Sequence, residues 1–291
     1  MFSVLIPVYN KKIIKLVKAI LDQAQKQKII VEVIAIDDGS RPGIRKENKP
    51  LIHAFNVNYV ELSENIGRSR VRNWLIKLAR YDHLIFLDCD SEIRHTQFLK
   101  LYVDHTSHDV VYGGRIYPTS KPRTPKKMLH WKYGTKIESK KADERNKSPF
   151  LSFMSNNFMV NKEIIKAHQF NEAIKGYGYE DLVWAHKLKT QGINIFHIDN
   201  PVIHTGIEYT DDFLEKTEQA LSNLQQVVTN RWMEPTRLIK LSQNLKRYKI
   251  DGMFNKVYDL FKEQIEKNIK SKDPNLMLFS FWKLRKILSQ D

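Results

Sequence analysis

The sequence predicts an α/β fold: a mostly parallel sheet flanked by helices over residues 1–210, followed by a helical C-terminal extension over 211–291. Three observations predict it. Short apolar runs alternate with segments of helical period through the first half of the chain. Those runs are continuously apolar rather than alternating, which suits parallel strands covered on both faces. Asparagine and aspartate collect directly after the runs, at Asn10, Asp37-Asp38 and Asp88. In parallel α/β sheets that rim is where ligands bind.

Taken in order, "FSVLIPV" (2–8) reads as the first strand and "KKIIKLVKAILDQAQ" (11–25) as a helix. "VEVIAID" (31–37) and "NVNYVEL" (56–62) read as the second and third strands. "RSRVRNWLIKLAR" (68–80) has helical spacing, and "HLIFLD" (83–88) is a fourth strand. Residues 115–148 carry Pro118, Pro122 and Pro125 and little apolar periodicity, so a mobile loop is expected, with one short helix near Lys126–Tyr133. "FLSFMSNNFMVNKE" (150–163) returns to strand character and then a short helix. "YEDLVWAHKLKTQG" (179–192) is a helix that Gly192 stops, and "INIFHID" (193–199) is a further strand. Helices are expected at roughly 211–230, 235–248, 253–270 and 277–289.

The chain has 291 residues, 42% hydrophobic content and a single cysteine, Cys89, so no disulfide framework is available. No run of 18 apolar residues suggests a spanning helix, and "MFSVLIPVYNKK" reads as a first strand rather than a leader. A cytoplasmic protein is expected. The net charge of +15 is uneven. Residues 115–147 hold 11 Lys/Arg against 3 Asp/Glu, and residues 232–291 hold 13 against 7. Nucleic acid, an anionic membrane surface or an anionic substrate would each answer such a charge. Nucleic acid is disfavoured, because the excess lies away from the acid rim and no helix-turn-helix or zinc-finger pattern appears. Nucleotide-sugar synthesis on a related fold is disfavoured too, since "IPVYNKK" has no glycine for a phosphate loop. In "LMLFSFWKLRKIL" (276–288), Leu278, Phe281, Trp282, Leu284 and Leu288 stand beside Lys283, Arg285 and Lys286. That mixture suits a helix resting on an anionic membrane, against the plainer reading that its apolar residues pack on the α/β domain and its lysines only keep the chain soluble.

Four constellations carry chemistry. Asp88-x-Asp90 ends an apolar strand, and paired carboxylates there are hard oxygen ligands for Mg²⁺ or Mn²⁺. A D-x-D arises by chance in roughly every other chain of this length, so its value comes from its place. "IAIDDGS" (34–40) ends a strand in two acids and a turn, where one Asp can accept from a ribose hydroxyl or a base N–H. "ENIGRSRVRN" (64–73) puts Arg68, Arg70 and Arg72 near a helix start, within reach of a nucleotide. "GYGYEDL" (176–182) sets Tyr177 and Tyr179 before Glu180 and Asp181, aromatic faces for a sugar beside carboxylates that can take a proton. His204 in "PVIHTG" is a candidate third metal ligand.

In this order, "SVLIPVYN", "IDDGS", "NIGRSRVRN", "FLDCDSE", "GYGYEDL" and "HTG" resemble the family 2 glycosyltransferases with the Rossmann-like GT-A fold, over roughly residues 1–210. The resemblance implies an inverting, metal-dependent transfer from a nucleotide-diphospho-sugar, often UDP-linked, to a glycan or lipid-linked acceptor. It implies that Pro7 and Tyr9 line the nucleotide pocket, that Asp38 accepts from the base with Arg72 nearby, and that Asp88 holds the ribose or donor sugar. Asp90 and His204 would hold Mn²⁺ or Mg²⁺. Asp181 would be the general base, Glu180 would hold hydroxyls of acceptor or donor, and Tyr177 and Tyr179 would meet the acceptor. "GYGYED" is similar to the Gly-Trp-Gly-Gly-Glu-Asp pattern of galactosyltransferase-like members, with Tyr in place of Trp and of the third Gly.

Overall fold

A computed structural model describes residues 1–55 and 57–289. The chain opens with β1 (Phe2–Val8), α1 (Ile14–Gln27), β2 (Val31–Asp37), α2 (Pro42–Asn48), α3 (Pro50–Phe55), β3 (Asn58–Glu61), α4 (Arg68–Leu78) and β4 (His83–Leu87). Of the third strand expected at 56–62, residue 56 lies outside the described residues. Then come β5 (Ser91–Glu92), α5 (Phe98–Val103), β6 (Val110–Tyr112), β7 (Arg115–Ile116), α6 (Met128–Tyr133) and α7 (Ala142–Asn146). The first half of the fold closes with β8 (Asn157–Asn161), α8 (Lys162–Ala167), α9 (Glu180–Thr190), β9 (Ile195–His197) and β10 (Val202–His204). The remainder is helical: α10 (Thr210–Thr229), α11 (Arg237–Arg247), α12 (Asp251–Leu260), α13 (Lys262–Ile269) and α14 (Leu276–Leu288).

Among the described residues, one sheet has seven strands in the order β3-β2-β1-β4-β8-β6-β9. β1, β2, β3 and β4 run parallel, and β8 enters antiparallel to both β4 and β6. Parallel pairing demands cover on both faces. β1 and β4 meet that demand with nearly every residue buried. One face carries a core of Val4, Ile6, Leu16, Val17, Ile20 and Ile85, and the other a core of Leu5, Leu75, Phe86, Phe158 and Trp184. A smaller sheet, β5-β10-β7, brings Ser91, His204 and Arg115 into adjacent strands.

The chain divides into two compact units. The first comprises residues 1–118, 139–173 and 180–206, and the second residues 119–138, 174–179 and 207–291. A single boundary at residue 210 therefore omits two short segments that group with the C-terminal helices.

Two expectations are corrected. Residues 115–148 are largely built: a 3₁₀ turn at 125–127 leads into α6, a π turn follows at 134–138, and α7 comes after. The stretch around α7 is held by Arg145, which is 2% exposed. Its guanidinium donates to the carbonyls of Lys140 and Ile198, the latter at 2.6 Å. A basic residue that sequence reads as solvated is the peg that holds α7 to the chain at Ile198, because buried carbonyls need donors. The second correction concerns α14. Of the apolar residues that would face a membrane, Trp282, Leu284 and Leu288 are buried, together with Phe279 and Ile287, in the interior of the second unit, while Phe281 stays 42% exposed. Lys283 lies over the rings of Tyr133 and Phe279 at 5.1 and 4.9 Å. The helix expected at 253–270 is also two, broken at Phe261.

Candidate active site

The sheet order sets the place. From β1 the chain steps outward to β2 and β3, then returns across β1 to pair β4 on its other side. A crevice at such a switch point, beyond the carboxyl ends of the strands, is where open α/β sheets bind ligands. β4 pairs with β1 only as far as Leu5, while β2 pairs with it to Val8. Pro7 thus lies past the last β4 partner, where its missing N–H costs the ladder least. Tyr9, just beyond, is half exposed.

The two acids after β2 differ in task. Asp37 is fully buried; its Oδ1 accepts from Ser40 N at 2.7 Å and its Oδ2 from the Tyr59 hydroxyl at 2.8 Å. Asp38 reaches across the rim, its Oδ1 accepting from Ile66 N at 2.6 Å and its Oδ2 from Gly67 N at 3.1 Å. It therefore pins the loop that launches α4. Burial, against those two amide bonds, raises its pKa. Gly39 makes the approach possible: its φ is +76°, and a Cβ there would sit 2.6 Å from Asn65 N.

α4 delivers arginines to the crevice. Arg72 is 2% exposed and bridges two carboxylates: Nη2 lies 3.1 Å from Asp88 Oδ1, and Nη1 lies 3.4 Å from Glu180 Oε1. Its Nε is buried with no hydrogen-bond partner among the described residues. Arg68 Nη1 also reaches Glu180 Oε1 at 3.4 Å. Arg115 Nη2 stands 3.7 Å from Asp88 Oδ2. Asp88 is thus held between two guanidiniums, one from α4 and one from β7. Arg115 was not singled out in the sequence; the one local signal is its place after the Gly113-Gly114 pair.

Asp90 has its own partner. His204 Nδ1 lies 3.1 Å from Asp90 Oδ1, with β5 and β10 pairing Ser91 to His204. Burial pushes the Asp90 carboxyl up, but His204, with Arg115 and Lys11, together outweigh it and hold the carboxyl well below its ordinary range. Gly206 lies flat against this pair, and a Cβ there would collide with Asp90 Oδ2. Thr205 seals the turn, its N and Oγ1 bonding to the Asp90 carbonyl at 2.9 and 2.8 Å. Between the acids, Cys89 packs against the apolar core, and burial pushes its thiol to about 12. It is inert as a nucleophile.

The donor set at Asp90 and His204 fits a hard divalent cation. A carboxylate oxygen and an imidazole nitrogen suit Mn²⁺, and a separation of 3.1 Å is what two neighbouring ligands of an octahedral ion, each about 2.1 Å from it, would show. Among the described residues no group of three or more His, Cys, Asp or Glu gathers as a metal cage. Mg²⁺ and Mn²⁺ sites that share an ion with substrate phosphates take only one or two protein ligands.

Glu180 and Asp181 open α9 as neighbours, in opposite electrostatic states. Glu180 is 4% exposed. Burial pushes it up, yet Arg68 and Arg72 together hold it below the usual carboxylate range. Asp181 is partly exposed, with Oδ1 accepting from Leu182 N at 2.8 Å. Burial, reinforced by the Glu180 charge, raises it from 3.8 to about 7.

Tyr177 and Tyr179 belong to the second unit. There Asn223 Nδ2 donates to the carbonyls of Lys175 and Tyr177 at 2.9 and 3.0 Å, and Gln219 Oε1 accepts from Tyr177 N at 3.1 Å. Lys216 Nζ stands 5.5 Å over the Tyr177 ring. Tyr179, at φ +70°, packs against Leu221, Leu224, Ile239 and Ile287.

Residues 3–168 match the family model described as glycosyl transferase family 2. Over 223 residues the chain is 25% identical to a chondroitin synthase of Escherichia coli, a match covering 65% of this chain and 32% of that protein. It is 24% identical over 224 residues to a chondroitin synthase of Pasteurella multocida, covering 65% of this chain and 23% of that one. The chain thus spans about a third or less of the length of these relatives. Among solved structures, the mannosyltransferase PcManGT from Pyrobaculum calidifontis, in complex with GDP-Man and Mn²⁺, superposes with a TM-score of 0.52 at 16% identity, covering 78% of this chain and 64% of that one. Glucosyl-3-phosphoglycerate synthase from Mycobacterium tuberculosis, in complex with Mn²⁺, UDP and phosphoglyceric acid, does so with a TM-score of 0.52 at 13% identity, covering 78% of each. The shared fold is GT-A.

Proposed function

The chain belongs to glycosyl transferase family 2, and from that premise we propose that it transfers a sugar from a UDP-linked donor to a hydroxyl of a glycan or lipid-linked glycan, with inversion at the anomeric carbon. One observation carries the mechanism. Two adjacent carboxyls are driven apart in proton affinity, Glu180 held ionised by Arg68 and Arg72 and Asp181 raised to about 7. Such a divergence marks an acid–base assignment. An acceptor hydroxyl is a poor nucleophile, and a base whose pKa lies near the working pH removes its proton most effectively, contributing about 10²–10⁴-fold. Asp181 is that base. A single base acting opposite the leaving group gives one displacement and inversion.

The other residues hold the reactants. Pro7, Tyr9 and Asp38 border the nucleotide pocket. Asp88, fixed by Arg72 and Arg115, accepts from ribose or donor-sugar hydroxyls, and Glu180, fixed by the same Arg72, accepts from hydroxyls near the reacting centre. Asp90 and His204 would hold Mn²⁺ or Mg²⁺, which when bound would neutralise the charge of the departing diphosphate. Tyr177 offers a ring face to the acceptor sugar, and Tyr179, already packed on aliphatic side chains, supports its backbone.

Asp181→Asn tests the reading. Turnover is expected to fall at least about 10²-fold while donor affinity stays within about twofold. Near-normal turnover in this variant would move the base elsewhere, with Glu180 as the next residue to replace.

A further inference from the structure

The helical extension carries an apolar face that its own packing does not use. α12 buries Tyr258 and partly buries Phe254 against a cluster that includes Ile265, Phe279 and Trp282. The side next to it is also apolar. Met253, Val257 and Leu260 recur at i, i+4 and i+7, one stripe of a helix, and are 64%, 53% and 72% exposed. Tyr248 and Ile250, in the turn before the helix, and Phe261 just after it extend the stripe at 67%, 41% and 50% exposure. Isolated exposed apolar residues need no explanation, but six in fourteen positions form a continuous patch that marks an interaction surface.

The charge around the patch names its partner. Over residues 246–262 stand Lys246, Arg247, Lys249, Lys256 and Lys262 against Asp251 and Asp259. Asp259 is engaged by Arg285 at 3.4 Å. Lys246, Arg247, Lys249, Lys256 and Lys262 are all exposed. Two copies of so basic a face would repel each other, whereas an anionic lipid surface supplies both counter-charge and an apolar layer. No described helix is long and apolar enough to cross a membrane. A helix with an apolar stripe, a basic border and a Tyr at one edge has the composition of one that lies in the headgroup plane.

We propose that α12 and the turn before it dock on an anionic lipid surface, with Met253, Val257 and Leu260 entering the interface between flanking lysines and arginines. This moves the membrane contact from α14, whose Trp282, Leu284 and Leu288 are buried, to α12, whose Met253, Val257 and Leu260 are exposed. Each flanking base near such a surface is worth about fivefold in affinity at low salt, and the apolar stripe adds an increment that salt does not screen.

Vesicle flotation of the full chain decides it, with no dependence on turnover, so its failure is separate from any failure of the proposed transfer. The probes are vesicles of phosphatidylcholine alone and of phosphatidylcholine with phosphatidylglycerol. Wild type is expected to float with the anionic vesicles at low salt and to stay behind with the neutral ones. The variant Met253→Ser/Val257→Ser/Leu260→Ser changes only exposed side chains and is expected to keep its melting temperature while losing at least about tenfold in affinity. Lys249→Glu/Lys256→Glu is expected to lose roughly 25-fold or more. If the serine variant floats as well as wild type, or wild type binds neither vesicle, the proposal is overturned. So it is if wild type elutes as a dimer that the serine variant dissolves, since the face is then a contact between copies.

Discussion

Arg72 is the residue on which the crevice turns. A guanidinium almost wholly removed from solvent holds Asp88 on one side and Glu180 on the other, and removing it strands carboxylates at a site built for a cation. Arg72→Met is expected to cost about 3 kcal/mol of stability, read by chemical denaturation at neutral pH. A loss under about 0.5 kcal/mol would mean that Arg68 and Arg115 alone suffice. Asp181 makes the opposite prediction. A carboxyl whose pKa rises from 3.8 to about 7 on folding keeps its proton through an interval in which the unfolded chain has released it. Its contribution to stability therefore falls as pH rises from about 4 to 7, and the penalty is complete above 7. Asp181→Asn should melt higher than wild type at pH 8, though it catalyses worse. Because the Glu180 charge helps to raise Asp181, the acid limb of kcat/KM is expected near pH 7 in wild type and at lower pH in Glu180→Gln. An unmoved limb would show that another group titrates there. At this scale the sequence was legible in part. Asp88, Asp90, Glu180 and Asp181 stood out because acids at strand ends and before helices are conspicuous. Arg115 and Arg145 did not, since nothing local distinguishes a buried arginine from a solvated one.

At the scale of elements, two pieces of strand do much of the positioning. β5 and β10 are two and three residues long, yet their pairing brings Asp90 to His204 and lays Gly206 against both. Gly206→Ala is expected to displace the Asp90 carboxylate and weaken Mn²⁺ affinity at least about tenfold, measured by calorimetry or by the relaxation of bound Mn²⁺; unchanged affinity would place the ion elsewhere. Such short elements are unreadable in advance. β6 is "VVY" between polar and glycine residues, too brief for any period to show, and α2, "PGIRKEN", has no apolar spacing to betray it. β1, β2 and β4 were legible because parallel strands buried on both faces must be continuously apolar. The division of the last helices was not, because the break at Phe261 involves neither proline nor glycine.

For the whole molecule, the sequence conveyed the order of the first half and its acid rim, while composition alone left open whether the apolar side chains of the extension meet a membrane or a core. α14 is hydrophobic because it is the centre of the second unit, in contact with α10, α13, α11 and α12. Trp282, 3% exposed, fills that centre. Trp282→Ala should cost about 3–5 kcal/mol of the second unit's stability, detected as earlier melting or protease sensitivity in residues 207–289. A cost near zero would mean that those helices are held by something other than this cluster.

Binding of a nucleoside diphosphate beyond β1 and β4 is expected to depend on a divalent cation held at Asp90 and His204. Isothermal calorimetry of UDP and of GDP against the protein, in Mn²⁺ and in EDTA, tests it most directly. Binding of one nucleotide is expected to appear with Mn²⁺, to vanish in EDTA and to be lost in Asp90→Ala. Equal affinity in Mn²⁺ and EDTA, or in wild type and Asp90→Ala, would contradict it.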